Sequence, residues 1–212
     1  MVGPGNMIVL GNGIKMAVQQ VSNGTYRVYF GLPVPEDFYH HRQSCTIAAT
    51  DPTSKTEVVR QLLLSSNNFY ATWAPELKSF VETVEGPFRA WPLYRMEPDS
   101  VGWTRSVAPG VTLLGDAAHL STPFAGEGVN CSMYDAVMLA GHIIEQCGKY
   151  ANLATLEGTA LEYALTAYEE DMFLRGRDLI RCSTKMETMF FTPDAAALFL
   201  QSFDDNSEGD RR

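Results

Sequence analysis

Three short runs near the start of the chain, Met7–Leu10, Lys15–Gln20 and Thr25–Phe30, alternate apolar with polar residues and are separated by Gly11-Asn12-Gly13 and Ser22-Asn23-Gly24. Alternation turns one side of each run inward, and Asn-Gly pairs favour the tight turns that join antiparallel strands, so a three-stranded meander is predicted. Lys55–Leu64 and Pro75–Val84 carry apolar residues at helical spacing, the second with Pro75 at a favoured first position. Such helices would cover the sheet, and Phe88–Leu93 alternates enough to return to it as a further strand before a loop over Tyr94–Pro109. Val111–Leu114 is a continuous apolar run between Gly110 and Gly115, the pattern of a strand buried on both faces as in a parallel sheet.

The remainder reads as helix. Across Glu127–Gln146, residues Val129, Met133, Val137, Ala140 and Ile144 recur at spacings of three and four and predict one buried stripe. Leu161, Leu165, Tyr168, Met172 and Leu179 extend the same logic along a longer helix, on which Glu169-Glu170-Asp171 reads as a solvated face. Met186, Met189, Phe190 and Phe191 suit a core at that spacing, or the lining of a pocket. The expected division is a sheet with covering helices over residues 1–109, a strand and helices over 110–203, and a disordered polar tail over 204–212.

Composition narrows the function classes. A chain of 212 residues with 45% hydrophobic content can bury a sizeable core. Its net charge of −9, with no basic cluster, argues against a nucleic-acid partner, because phosphate binding needs grouped Lys and Arg. Cys45, Cys131, Cys147 and Cys182 follow neither Cys-x-x-Cys nor metal-site spacing, so no metal is expected and the thiols should be reduced, as in the cytoplasm. No apolar run reaches the roughly 18 residues of a membrane span, and the N-terminus lacks the basic and apolar regions of a signal peptide, so no membrane partner is expected.

The densest chemistry lies in Gly110–Asn130, GVTLLGDAAHLSTPFAGEGVN. Gly115 permits a sharp turn at the end of the apolar run, and Asp116 then presents a carboxylate where open α/β sheets bind cofactors. After Pro123 and Phe124, the run Gly126-Glu127-Gly128-Val129-Asn130 opens a helix, whose unpaired N–H groups and positive dipole end suit an anionic or electron-rich ring. Asp116 has a blander alternative as a cap of its own turn. Glu127 reads as a favourable first-turn charge, and His119 as a hydrogen-bonded structural residue with no chemical step.

GDAAH followed by PFAGEGVN resembles the second flavin motif of the class A flavoprotein monooxygenases, the para-hydroxybenzoate hydroxylase superfamily. LGNGIKMAVQQ, NGTYRVYFGLPVPEDF, RAWPL and AYEEDMFLRGRDLI also resemble, in order, the tetracycline-inactivating members of that superfamily. The resemblance implies a partial flavoprotein fold of α+β or α/β class, with an antiparallel substrate-domain sheet and a helical region carrying the Gly-Asp motif. It implies FAD held by Gly115, Asp116, Pro123, Gly126, Gly128, Val129 and Asn130, with Asp116 on the ribityl hydroxyls. It further implies NAD(P)H as reductant, O2 as co-substrate through a flavin hydroperoxide, and an aromatic or polycyclic substrate near Phe124 and Arg27. Arg27 stands where those enzymes have histidine and Ile14 near where they have arginine, which points away from tetracycline itself.

The superfamily's opening βαβ unit with G-x-G-x-x-G is not in this sequence: Gly11-Asn12-Gly13 meets Met16 at the third glycine, and Gly126-Glu127-Gly128 meets Cys131. Three readings are therefore open. The chain is all or the C-terminal portion of an FAD-dependent monooxygenase, or a non-catalytic remnant that needs a partner chain supplying the nucleotide-binding half, or a flavin-free cyclase or isomerase using the substrate pocket.

Overall fold

The computed structural model describes residues 2–3, 5–38, 52–149 and 157–209, so Cys45 lies outside the described residues. The protein has two compact units, Met1–Pro92 with Thr188–Arg212, and Leu93–Glu187. Its architecture is α+β: a three-stranded antiparallel sheet with helices.

In the first unit, β1 (Asn6–Gly11), β2 (Ile14–Gln20) and β3 (Tyr26–Gly31) pair in sequence order. Asn12 and Gly13 both have positive φ, 53° and 71°, as a two-residue hairpin with the twist of its strands requires. The second turn closes through Val21 N–H to Thr25 O, 2.9 Å, while the Asn23 carboxamide oxygen accepts from the Thr25 N–H and hydroxyl. The register puts Met16 opposite Val9 and Phe30, and Val18 opposite Met7 and Val28, so one sheet face is apolar throughout. That face joins Leu63, Phe69, Tyr70, Trp73 and Val81 in a buried cluster. Tyr70 is fully buried, stacks edge-on to Trp73 at 4.8 Å, and its hydroxyl donates to Lys15 O at 2.9 Å.

The predicted covering helices are present as α1 (Pro52–Ser65) and α2 (Pro75–Glu82), with Pro75 in the first turn of α2. Arg60 on α1 donates to the carbonyls of Val81, Glu82 and Val84 at 2.7, 2.6 and 3.0 Å, which satisfies the open end of α2. Phe88–Leu93 is not a strand. Phe88 instead packs its side chain against the core beside Phe30, at 5.8 Å between ring centres, and Trp91 is 77% exposed.

The second unit is built on α3 (Asp116–His119), α4 (Gly128–Lys149) and most of α5 (Glu157–Phe190). Leu165, Tyr168, Met172 and Leu179 are buried along α5 as their spacing requires. Three expectations are overturned. Val111–Leu114 forms no strand, and Val111, Leu113 and Leu114 are 56, 43 and 40% exposed, because no other strand is described in this unit to complete a ladder. The stripe Val129, Met133, Val137, Ile144 on α4 faces outward, 65 to 74% exposed; the buried side of α4 is Cys131 and Asp135. Glu169 is buried, whereas Glu170 and Asp171 are solvated. Finally α6 (Ala195–Gly209), in the first unit against β1, is helical through much of the stretch read as a tail; residues 210–212 lie outside those described. Among the described residues no helix is long and apolar enough to cross a membrane.

Candidate cofactor site

An extended segment without a sheet still needs its backbone groups satisfied, and Arg105 with side chains of α4 and α5 does this at Gly110, Val111, Leu113 and Gly115. Glu162 accepts from Gly110 N–H, and Tyr168 donates to Leu113 O at 3.1 Å. Arg105 donates to Val111 O at 2.6 Å and is held by Glu162, 2.8 Å, and Glu169, 2.6 Å. The Thr112 hydroxyl also donates to Glu169, at 2.7 Å. Glu162 and Glu169 are thus anchors for the approach to the Gly-Asp turn. The carboxyl of Glu162 is drawn below its usual range by Arg105 first and by Gly110 N–H second.

The turn is built on Gly115, buried, with φ 59° and ψ −144°, a combination that L-residues with side chains avoid. A Cβ there would stand 2.8 Å from Ser132 Oγ and 3.2 Å from Ser132 Cβ, so the turn lies against the second turn of α4. Gly115 O accepts from Ala118 and His119 N–H at 2.8 and 2.9 Å, closing α3 as one turn of helix. Asp116 follows, exposed, with no hydrogen bond or ion pair to any described residue, so it does not cap the turn through its side chain.

Pro123 starts a 3₁₀ turn, Pro123–Ala125, with Phe124 half-buried in it; Gly126 leaves that turn in the left-handed region at φ 73°. Cys131 N–H to Glu127 O, 2.9 Å, closes the first turn of α4, which leaves the N–H groups of Gly128, Val129 and Asn130 ahead of it at the positive end of the dipole. Val129 and Asn130 are exposed, and the Asn130 carboxamide donates to Glu127 at 3.2 Å. All seven residues proposed for the cofactor therefore lie in one unit, around one turn and one helix start. Arg27 belongs to the other unit, exposed on the sheet face opposite the core, in register with Gln19 and next to Tyr29. Ile14 is in the core at 2% exposure.

His119 is structural, as expected, but it is part of a network that the spacing reading missed. It is 1% exposed, and its Nε2 lies 2.6 Å from Asp135 Oδ2, which also accepts Gly115 N–H at 2.9 Å. Asp135 Oδ1 accepts from Arg175 at 2.9 and 3.3 Å. Arg175 is steadied in turn by Asp171 and by the Tyr134 ring at 4.7 Å. Burial first, then the Asp135 carboxylate, push the Cys131 thiol up. Donor atoms of His119, Cys131 and Asp135 lie within 4.8 Å of one another, but both Asp135 oxygens are engaged and Arg175 adjoins them, which opposes a second cation. A signal for the two buried acids was available. Asp135 falls four after Cys131 and three before Met138, and Glu169 four after Leu165 and three before Met172, so each sits on its helix's inward side.

His119 also touches α5. A Cβ on Gly176 would meet His119 Cβ at 2.7 Å and Cγ at 3.0 Å. Alanine in a helix interior ordinarily gains up to about 1 kcal/mol over glycine. Here the clash outweighs that gain, so Gly176→Ala should lower the thermal unfolding midpoint; an unchanged or raised midpoint would show that His119 yields freely.

A family described as FAD binding domain matches residues 100–183. The chain is 26% identical to monooxygenase asqM of Emericella nidulans, over 94% of this chain and 51% of that protein. It is 27% identical to monooxygenase penA of Penicillium thymicola, over 80% of this chain and 44% of that protein. An FAD-dependent urate hydroxylase of Klebsiella pneumoniae is 26% identical over 81% and 36%. The crystal structure of pqsL, a probable FAD-dependent monooxygenase from Pseudomonas aeruginosa, superposes with a TM-score of 0.56 at 21% identity, over 93% of this chain and 48% of that one, which shows a shared fold. The chain is thus similar to FAD-dependent monooxygenases, shares part of an α+β fold with one of them, and carries over residues 100–183 a segment of FAD-binding type. It spans about half or less of the length of the curated relatives it matches.

Proposed function

We propose that this chain provides one side of a flavin site in a monooxygenase that uses FAD, NAD(P)H and O2 to hydroxylate an aromatic or polycyclic small molecule. The observation that carries the reading is Asp116: an exposed carboxylate with no partner among the described residues, set on a glycine-only turn, inside the segment of FAD-binding type. The residues fit the group. Gly115 keeps a side chain out of the turn, Asp116 accepts from ribityl hydroxyls, and the N–H groups of Gly128, Val129 and Asn130 offer donors for negative charge on the ring. FAD, when bound, supplies the redox chemistry that places one oxygen atom of O2 on an electron-rich substrate. Phe124 gives an apolar wall beside that loop, and Arg27, with no ion pair or hydrogen bond among the described residues, offers a charge for an acidic or phenolate group. A cytoplasmic setting accords with Cys131, Cys147 and Cys182 being free thiols.

Titration of FAD by quenching of its fluorescence tests the role of Asp116. Loss of a hydrogen-bonded carboxylate is expected to weaken binding on the order of tenfold or more in Asp116→Ala. Equal affinities would remove Asp116 from the site.

The exposed stripe on α4 and the exposed Val111, Leu113 and Leu114 favour a second element of the reading: a nucleotide-binding half, on a partner chain, that covers them. The backbone N–H and C=O groups of Thr112 and Leu114 have no hydrogen bond to any described residue, which leaves one edge of the segment open to a strand. Adding a βαβ domain that carries the G-x-G-x-x-G fingerprint should tighten FAD binding; an unaltered affinity would contradict this element.

A further inference from the structure

Asp135 receives hydrogen bonds from three separate parts of the second unit: the Gly115 N–H of the Gly-Asp turn, the His119 ring of α3 and the Arg175 guanidinium of α5. It is 0% exposed, with Gly115 N–H and the His119 ring on Oδ2 and two nitrogens of Arg175 on Oδ1. We propose that Asp135 is a positioning residue for the cofactor turn: by gripping Gly115 N–H from the second turn of α4, it fixes where the Asp116 carboxylate stands relative to the start of that helix. The inference rests on the flavin reading for what the turn holds, and on this network alone for what holds the turn.

The mechanical argument follows from the positions of the contacts. The Asp116 side chain has no hydrogen bond or ion pair among the described residues, so its placement depends on the backbone before and after it. After it, α3 is a single turn with His119 at its end, and His119 is wedged between Asp135 and Gly176. Before it, Gly115 is tied by its N–H to the same Asp135 oxygen that takes His119. One oxygen therefore pins both ends of the Gly115–His119 loop, with Asp116 between them. Arg175 holds the other oxygen and so fixes the carboxylate plane. Asparagine has nearly the same shape but only one acceptor oxygen. Turned one way, it faces Arg175 with an N–H2 group; turned the other, it faces Gly115 N–H and the His119 donor with that group. The first orientation strands the Arg175 fork and the second strands Gly115 N–H, so neither keeps all the contacts of the carboxylate.

The test is amide hydrogen exchange on the full chain, read at residues 113–119 and separately along α4 and α5, for the wild type, Asp135→Asn and Asp116→Ala, paired with FAD titration. Asp135→Asn should speed exchange at Gly115 on the order of tenfold or more while the distal parts of α4 and α5 keep their protection. It should also weaken FAD binding by a similar factor. Asp116→Ala should weaken FAD binding and leave the exchange at Gly115 unchanged. Gly115 exchange equal to the wild type, loosening spread evenly over both helices, or undiminished FAD affinity with a freed turn would each overturn the proposal. Where Asp135→Asn fails to fold, Arg175→Lys, which removes the two-pronged contact to Asp135 together with the guanidinium's contacts to Asp171 and Tyr134, is judged by the same criteria. A wild type that takes up no FAD counts against the flavin reading, and the exchange pattern then decides by itself whether Asp135 holds the turn.

Discussion

Replacing Gly115 by alanine is expected to destabilise the second unit and abolish flavin retention. Two costs add. The backbone at φ 59° and ψ −144° is strained for any residue with a Cβ, which costs of order 1–3 kcal/mol. The new methyl would also stand 2.8 Å from Ser132 Oγ and 3.2 Å from Ser132 Cβ, so a change of Ser132 rotamer moves the oxygen away and leaves the carbon in place. A loss of about 3 kcal/mol or more would lower the unfolding midpoint by roughly 6–12 °C in a protein of this size. The double variant Gly115→Ala with Ser132→Gly separates the two costs, because it removes the clash and keeps the backbone strain. Full recovery in the double variant would show that the turn is not strained at all. A single variant as stable as the wild type would show that the turn is free to rearrange, which the account denies.

The second large effect is expected at Arg105. Glu169 is 2% exposed and is matched by the Arg105 guanidinium at 2.6 Å and the Thr112 hydroxyl at 2.7 Å. Arg105→Met leaves that buried carboxylate with one neutral donor, and also frees Val111 O and Glu162. Breaking a buried pair from one side costs about 3 kcal/mol, the lower end of the usual range because the Arg105 side chain keeps 18% of its exposure. Urea unfolding should register this as a shift in midpoint. The sharper test is the second substitution: Arg105→Met with Glu169→Leu removes the stranded charge and should recover most of the loss. If the single change has no effect, the segment before the Gly-Asp turn is not held by α5.

Much of the fold was legible where the signal is local. Asn12-Gly13 and Ser22-Asn23-Gly24 announce hairpins because turn chemistry is decided within a few residues, and Pro75 marks a helix start for the same reason. The Gly-Asp turn and the glycine loop before α4 were likewise readable, since the backbone at Gly115 excludes side chains and the left-handed Gly126 favours glycine. Misreadings occurred where the answer depends on partners distant in sequence. Val111–Leu114 has the composition of a buried strand, but a strand exists only beside another, and here Arg105 and the Tyr168 side chain of α5 take that place. The apolar periodicity of α4 was real, yet the side that turns inward is the one whose Asp135 meets Gly115, His119 and Arg175. A hydrophobic stripe shows that a helix has two faces; it does not say which one a given neighbour covers. Glu169 was misplaced because three consecutive acids look solvated, although the first of them shares the inward side with Leu165 and Met172.

These misreadings bear on function as well. An outward apolar side on α4 and an unpaired segment edge both adjoin the proposed cofactor turn in sequence, and the proposal that further polypeptide covers them rests on these two features. The proposed site therefore makes separate claims about the residues that touch the flavin and about the network that holds them in place.

The most direct measurement is the visible absorption spectrum of the purified chain after incubation with FAD and removal of free cofactor by gel filtration. The account predicts a retained flavin spectrum with bands shifted from those of free FAD, the sign of a ring held in a protein environment. A folded, colourless protein would contradict the claim that the Gly115–Asn130 segment of this chain holds FAD.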